Sequence, residues 1–427
     1  MAGARPDAEL LVAGGGLAAQ RCCEHLRRRG FDGRIAMICE ETALPYDRPP
    51  LSKAVLTEGR SGDSLSFRAE EWYGANGIEL LCGVRAAGLD HVGRSVTLEQ
   101  TSSNGRSSGR ASRLRYERLL VATGGRPRRL PGLEPGGAVL ELRTAEDAAR
   151  LRSALLNGGP LLVIGAGLIG LEVASAARAL GVPATVVEAE ATPLARALPP
   201  ALGHWLAGLH VSGGVDVRLG TTVAALHRHT GGARAQLSDG STVEASTVLV
   251  ATGTAPATAW LEGGEGTGPA LRTDARGRTA LPGVWAAGDA ASFPDPFGTD
   301  HVLTPHWESA VRQGTAVARA LLGEAPAEHV PSMFWSDQHG RRIQMVGHAP
   351  SPAETELDGE PRPDAPFAVW IGRGGRTAAA LLVDKPELLG RAREEIAAAA
   401  PRREDAPGDR PDEIAGNRSP ETTGAVR

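Results

Sequence analysis

The chain has 427 residues, enough for two or three domains at roughly 150 residues each. Its formal charge of -4 gives no general reason to expect nucleic acid or an anionic membrane as partner. Lys53 and Lys385 are its only lysines. Its four cysteines, Cys22, Cys23, Cys39 and Cys82, make neither a CxxC nor a CxxxxC pair, so no metal knuckle or disulfide framework is expected.

The first residues read as an approach to a strand rather than a secretory leader, and no apolar run reaches the roughly 18 residues of a membrane span, so a cytoplasmic location is expected. The apolar run Glu9–Ala13 meets Gly14-Gly-Gly16-Leu-Ala-Ala19. A helical stretch covers 18–29, and RIAMIC ends at Glu40. Strand, glycine turn, helix and strand form one βαβ unit. The stretch LPYDRPPLSK then spans Leu44–Lys53. Its prolines fix φ, remove backbone donors and push their predecessors to extended geometry. It is therefore a stiff loop carrying two cations, Arg48 and Lys53. SSNGRSSGRAS (102–112) reads as a long hairpin tip.

A second βαβ unit follows in PLLVIGAGLIG, LEVASAARALG and ATVVEAE. Between the units, ERLLVATGGRP (117–127) and STVLVATGTAP (246–256) share the string VATG, each an apolar run breaking at Thr-Gly. Two such exits imply two crossings between one pair of domains. The expected division is a discontinuous first domain over 1–115 and 246–325, with an inserted domain over 116–245. A third, α+β domain is expected over 326–400, and the polar stretch 401–427 reads as a disordered tail.

The loop Gly165-Ala-Gly167-Leu-Ile-Gly170 has the spacing of a dinucleotide turn. The first glycine makes the turn, the second admits a pyrophosphate, and the third lets helix pack on strand. Phosphate would sit on the helix N-terminus. Glu188, eighteen residues on, ends the next strand and can accept both ribose hydroxyls. A carboxylate there repels a 2′-phosphate and Ala189 follows it, which favours NADH over NADPH. Gly14–Ala19 repeats the device with Glu40 as its acid. Two such loops ask for two dinucleotides, and FAD with NADH is the economical pair. In GVWAAGDAA (283–291), Asp289 sits where a helix could start, placed to meet a sugar hydroxyl while that helix start faces phosphate.

Together LPYDRPPLSK, VATGGRPRRLPG, LRTAEDA, VIGAGLIGLEVA, TVVEA, GVWAAGDAA, HWESAVRQG and FWSDQHGRRIQMVG resemble the FAD-dependent ferredoxin reductases of oxygenase systems, over about residues 8–390. The resemblance implies an α/β fold of the glutathione-reductase type, with FAD and NAD domains and an α+β C-terminal domain. It places the proline-rich loop against FAD and pairs Lys53 with Glu172 beside the flavin as the catalytic residues. Gly14, Gly16, Ala18, Glu40, Arg48, Ala86, Arg143, Asp289, Trp307 and Trp335 fall on FAD-contacting positions. Gly165, Gly167, Ile169, Gly170, Glu172, Glu188, Arg196 and Gly253 fall on the NAD side. One departure is clear: the chain reads Val302-Leu303-Thr304-Pro305-His306 where such proteins carry a charged pair.

The activity implied is NADH-dependent reduction of FAD, followed by single-electron delivery to an iron–sulfur ferredoxin that feeds an oxygenase. The lack of a dithiol, and Ser52-Lys53 where related peroxidases keep a cysteine, agree with electrons leaving the flavin edge directly. The alternatives are an NADH diaphorase or oxidase, and a redox-sensing flavoprotein of the apoptosis-inducing-factor type.

Overall fold

The computed structural model describes residues 7–101, 107–294, 301–327, 330–348 and 355–399. The expected disordered tail lies outside these residues, as do residues 102–106 of the expected hairpin tip.

The first sheet starts from β1 (Ala8–Ala13), α1 (Leu17–Arg28) and β2 (Ile35–Cys39). Two short helices follow, α2 (Ala54–Glu58) and α3 (Glu70–Ala75). Next come β3 (Ile78–Cys82), β4 (Val84–Asp90), β5 (Ser95–Thr101) and the 15-residue β6 (Ser107–Val121). The strand order is β3-β2-β1-β6-β5-β4. β1 is parallel to β2 and β6, whereas β4, β5 and β6 form an antiparallel meander. Residues 107–112 are therefore strand, not hairpin tip. Pairing with β5 requires only backbone groups, so the polar composition did not prevent it.

From β7 (Gly125–Pro127) the chain enters the second domain: β8 (Val139–Leu140), α4 (Ala145–Leu156), β9 (Leu161–Ile164), α5 (Leu168–Ala179), β10 (Ala184–Val187), α6 (Pro200–Ser212) and β11 (Asp216–Arg218). A meander of β12 (Val223–His229), β13 (Gly232–Leu237) and β14 (Thr242–Ala245) covers one face of the parallel sheet β11-β10-β9-β15-β8. In that sheet β15 is Thr247–Val250. The expected boundary at 116 falls within β6, and the one at 246 falls just before β15. β6 stays with the first sheet through Val121, and β15 pairs with β9 in the second. Each apolar run is consumed as a central strand, and the crossing falls at the Thr-Gly that follows. The two crossings, β7 and β16 (Thr254–Pro256), pair antiparallel as a two-stranded hinge ribbon.

The chain then returns to the first domain through β17 (Leu271–Arg272), β18 (Val284–Ala286, parallel to β6), β19 (Ala291–Pro294) and β20 (His301–Val302). The helix α7 (Trp307–Leu321) packs on α1 so tightly that a Cβ at Gly314 would overlap the carbonyl of Ala18. Last comes the antiparallel sheet β21 (Met333–Gln338), β22 (Arg341–Gly347), β23 (Glu356–Asp358), β24 (Phe367–Arg373) and β25 (Arg376–Val383), with α8 (Leu389–Ala399) against one face. Its other face joins the core of the second domain, where Trp205 of α6 meets Phe367 edge-on with ring centroids 4.9 Å apart. Among the described residues no helix is long and apolar enough to cross a membrane.

Candidate active site

The two glycine loops are built alike. Gly14 and Gly165 have φ of +115° and +107°, and a Cβ on either would overlap the carbonyl that ends its neighbouring VATG strand, Ala122 or Ala251. Only glycine tolerates both demands. The next cradle positions are open: a Cβ on Gly16 would meet nothing within 4 Å, and one on Gly167 only a carbonyl at 3.9 Å. Gly16 and Gly167 are also the N-caps of α1 and α5, and neither helix start is capped by a side chain. Each loop thus presents free N–H groups to a clear space, the fit an anionic pyrophosphate requires. Gly170 abuts the carbonyl of Gly165, which closes α5 onto β9, and Ala19 is fully buried in the equivalent place.

The acids differ. Glu188 is held by backbone: Ala166 N–H donates to Oε2 at 2.6 Å and Glu190 N–H to Oε1 at 2.9 Å. Glu40 instead receives Arg126 of the hinge ribbon, with Nη2 2.7 Å from both carboxylate oxygens. Near it, Thr101 donates to the Glu40 carbonyl at 2.8 Å, and the β4–β5 ladder is interrupted by a bulge between Ala86 and Gly88, which re-aims the backbone at Ala86. Around the second loop, Ile169 is exposed on the first turn of α5 and Gly253 stands at φ +94° after β15. Arg196 is exposed on a loop that folds back so that Leu194 N–H donates to the carbonyl of Ala166 at 3.3 Å.

The two cations of the stiff loop diverge. Arg48 turns into the first domain, donating to Glu41 Oε1 at 2.7 Å, to Tyr46 at 3.2 Å and to the carbonyl of Arg143. Burial alone would depress its pKa, but Glu41 and Tyr46 outweigh that and raise it. Arg143 donates to Asp289 at 3.2 Å, and burial followed by the repulsion of Arg48 lowers its pKa. Both guanidiniums are half-buried, and each is paired with a carboxylate, Arg48 with Glu41 and Arg143 with Asp289. Asp289 does not open a helix as expected. Gly288–Ala290 is a single 3₁₀ turn, and β19 follows because residues 291–294 are taken up in pairing with β17 and β20. Asp289 therefore contributes a side chain, not a helix dipole.

Lys53 turns the other way. Its Nζ lies 2.7 Å from Oε2 of Glu172, which α5 carries one turn inside the second domain. Ser52 donates to the same oxygen, and Ser336 of β21 donates to Oε1 at 2.5 Å. One carboxylate thus joins three domains, with only 5% of its surface exposed. Nearby, Trp307 donates to Asp47 at 2.8 Å and stands edge-on to Trp335, centroids 5.7 Å apart. Burial raises the pKa of Asp47, against the Trp307 bond and the charges of Arg21 and Lys53. In the divergent segment, Leu303 and Pro305 are exposed. His306 stacks on Phe334, and burial pulls its pKa down to about 4.

Residues 8–314 match the family described as pyridine nucleotide-disulphide oxidoreductase, and residues 333–414 match the reductase C-terminal domain. The chain belongs to the pyridine nucleotide-disulphide oxidoreductase family. It is 39% identical over 349 residues to the ferredoxin--NAD(+) reductase component of the p-cumate 2,3-dioxygenase system of Pseudomonas putida, covering 80% of this chain and 81% of that one. It is 35% identical over 393 residues to the corresponding component of the anthranilate 1,2-dioxygenase system of Burkholderia cepacia, covering 91% and 94%. Among solved structures, the covalent putidaredoxin reductase–putidaredoxin complex superposes with a TM-score of 0.82 at 30% identity, covering 92% of this chain and 94% of that one.

In this family member no cysteine stands beside the Lys53–Glu172 pair. Cys22 and Cys23 are fully buried in α1, and burial pushes the Cys23 thiol up to about 12, far from a reactive thiolate. Cys39 and Cys82 are register partners on β2 and β3. Four residues of the site escaped the sequence: Arg126, Asp47, Ser52 as a ligand of Glu172, and Ser336. Arg126 and Ser336 lie in VATGGRP and FWSDQ, but nothing in either string shows that they meet Glu40 and Glu172.

Proposed function

We propose that the protein is an NADH-dependent reductase that holds FAD in its first domain and NADH in its second, and passes electrons singly to an iron–sulfur ferredoxin of an oxygenase system in the cytoplasm. The observation that carries this reading is the Lys53–Glu172 pair, formed between the two dinucleotide domains with no thiol beside it. When bound, FAD accepts a hydride from NADH and gives up electrons one at a time. The chain supplies the rest. Gly14, Gly16 and Ala18 with the start of α1 hold the FAD pyrophosphate, while Arg48, Arg143 and Asp289 bind and orient it. Glu40 with Arg126, and the backbone at Ala86, face its adenosine.

Gly165, Gly167 and Gly170 with the start of α5 receive the NADH pyrophosphate. Glu188 accepts from its ribose, while Ile169, Arg196 and Gly253 border the exchangeable end. Lys53 sets a positive charge where the reduced ring is anionic, held rigid by Pro49 and Pro50 so that little order is lost when NADH docks. Trp307 and Trp335 exclude water from the ring edge. Each residue role here is a proposal, as are domain limits of 7–121 with 254–327 for the FAD domain and 125–250 for the NAD domain.

The test is anaerobic stopped-flow mixing of the purified protein with NADH and with NADPH, followed by cytochrome c reduction with and without an added oxygenase ferredoxin. Rapid bleaching by NADH and a ferredoxin-dependent second step are expected. Bleaching followed by equal cytochrome reduction without ferredoxin would make the protein a diaphorase. A flavin that neither nucleotide reduces would end the reductase reading.

A further inference from the structure

Behind Glu172 the hydrogen bonds do not stop at Ser336. Gln338 Nε2 donates to Ser336 Oγ at 2.8 Å, Gln338 Oε1 lies 2.8 Å from His210 Nε2, and His210 Nδ1 lies 3.1 Å from His339 Nε2. Ser336, Gln338 and His210 are 1% exposed or less, and His339 is half-buried at the domain seam. The chain crosses from the third domain (Ser336, Gln338) to the second (His210 on α6) and back to the third (His339). None of these four side chains has a place in the cofactor loops.

The direction of every bond follows from the carboxylate at one end. Oε1 of Glu172 can only accept, so Ser336 spends its single hydrogen on it. The Ser336 oxygen must then accept from an amide N–H, which turns the oxygen of Gln338 toward His210. That oxygen also only accepts, so His210 carries its proton on Nε2. As a neutral ring it is then bare at Nδ1, and His339 must donate to it from Nε2. Reversing any one member leaves two lone pairs facing each other in a dry interior. Burial holds His210 neutral by pulling its pKa to about 4, the Gln338 bond opposing and His339 adding to the shift. The amide in the middle matters too. It transmits polarisation, but it cannot pass a proton without becoming an imidic acid, so this is a chain for orientation and not a wire for protons.

The β21–β22 hairpin presents the last member. His339 and Gly340 form its two-residue turn, with φ +48° and +73° as such tight turns require, and the His339 N–H is held by Ser175 Oγ at 2.8 Å. Its ring fills the place that a Cβ on Gly213 would take, so α6 must end in glycine there. Arg178, one turn beyond Ser175 on α5, lowers the pKa of His339 after burial does.

We propose that Ser336, Gln338, His210 and His339 are positioning residues for the reductase reaction: a one-way hydrogen-bond chain, anchored on the tight turn at His339, that holds the Glu172 carboxylate in line with Lys53. This rests on the reductase reading for its kinetic consequence, and on geometry alone for its tautomers.

Two measurements test it on the flavin-loaded protein. The first is imidazole ¹⁵N NMR, which reads the tautomer without turnover. His210 and His339 are expected as neutral Nε2–H rings at pH 7, and His210 as the Nδ1–H tautomer would overturn the chain's direction. The second compares His210→Gln, whose amide N–H can still donate to Gln338, with His210→Phe, which cannot. His210→Phe is expected to slow NADH-driven flavin reduction about tenfold with the NADH dissociation constant unchanged, and His210→Gln to restore most of the rate. Equal rates for both variants, whether at the wild-type level or equally lost, would overturn the positioning role. A wild-type flavin that NADH fails to reduce would sink the reductase reading while leaving the NMR result standing.

Discussion

The first and second glycine loops share a turn, an open second glycine and an uncapped helix, yet their surroundings differ. Behind the first stand two half-buried guanidiniums, Arg48 and Arg143, paired with Glu41 and Asp289, and its acid is clasped by Arg126 from the ribbon of crossings. Behind the second there is backbone holding Glu188, and at its mouth an exposed isoleucine. Charge-assisted pairs of this kind fix the groups that make them, which suits a ligand that stays. An open mouth with an apolar rim and a fixed carboxylate suits one that exchanges. The two turns are alike, and what separates them is what the rest of the chain brings to each.

The sharpest way to break that comparison is to fill each open glycine. Gly16→Ala adds a methyl where the fold has room but the proposed pyrophosphate does not. The variant is expected to fold, by circular dichroism, and to purify without yellow colour. Gly167→Ala is expected to stay yellow and only bind NADH more weakly. Two colourless proteins would mean the second loop is not a separate, exchangeable site.

Next in size is the pair that joins the two halves. Lys53→Met and Glu172→Gln are each expected to slow flavin reduction on the order of 100-fold, as displaced charge at a reacting centre does, with flavin content unchanged in an absorbance titration. Normal rates would remove the pair from the chemistry. Glu188→Arg is expected to lower the NADH-over-NADPH preference at least tenfold in kcat/KM, because a cation there welcomes the 2′-phosphate the carboxylate repels. An unchanged ratio would mean that the backbone-held acid does not face the ribose.

A smaller effect concerns the seam between the second and third domains. Buried His210 has its pKa pulled from 6.5 to about 4 by desolvation, with the Gln338 bond opposing and nearby His339 reinforcing the shift. Between those two values the unfolded chain binds a proton that the folded one refuses. Stability should therefore fall as pH drops from about 6.5 to about 4, by ~3 kcal/mol from this ring, and level off below. Denaturant midpoints across that range should slope less steeply for His210→Gln, and an unaltered slope would exclude the ring as a source. Smallest is Arg126→Ala, which removes a half-exposed pair worth about 1 kcal/mol or less. It should cost FAD affinity severalfold at most, and complete flavin loss would show that Arg126 itself holds the ligand.

The linear chain already carried the two cradles, their acids and the crossing points, because each is a local pattern: a strand that must end, a turn only glycine can make, a carboxylate a fixed number of residues on. It also carried the absence of any dithiol, which is a matter of counting. It misjudged Asp289, where a cap-like residue precedes a strand, because cap chemistry is local but the fate of the next four residues was decided by β17 and β20. It did not show where β6 and β15 end or which sheets take them, because strand length depends on which sheet receives the run. Lys53 apart, which the resemblance already paired with it, tertiary structure alone determined who faces Glu172. Ser52, Ser336, Gln338, His210 and His339 lie between 38 and 167 residues from it along the chain, or from 120 to 164 for the two serines that touch it. A hydrogen bond is set by distance and direction in space, and no spacing along the sequence encodes a meeting of three domains at one carboxylate.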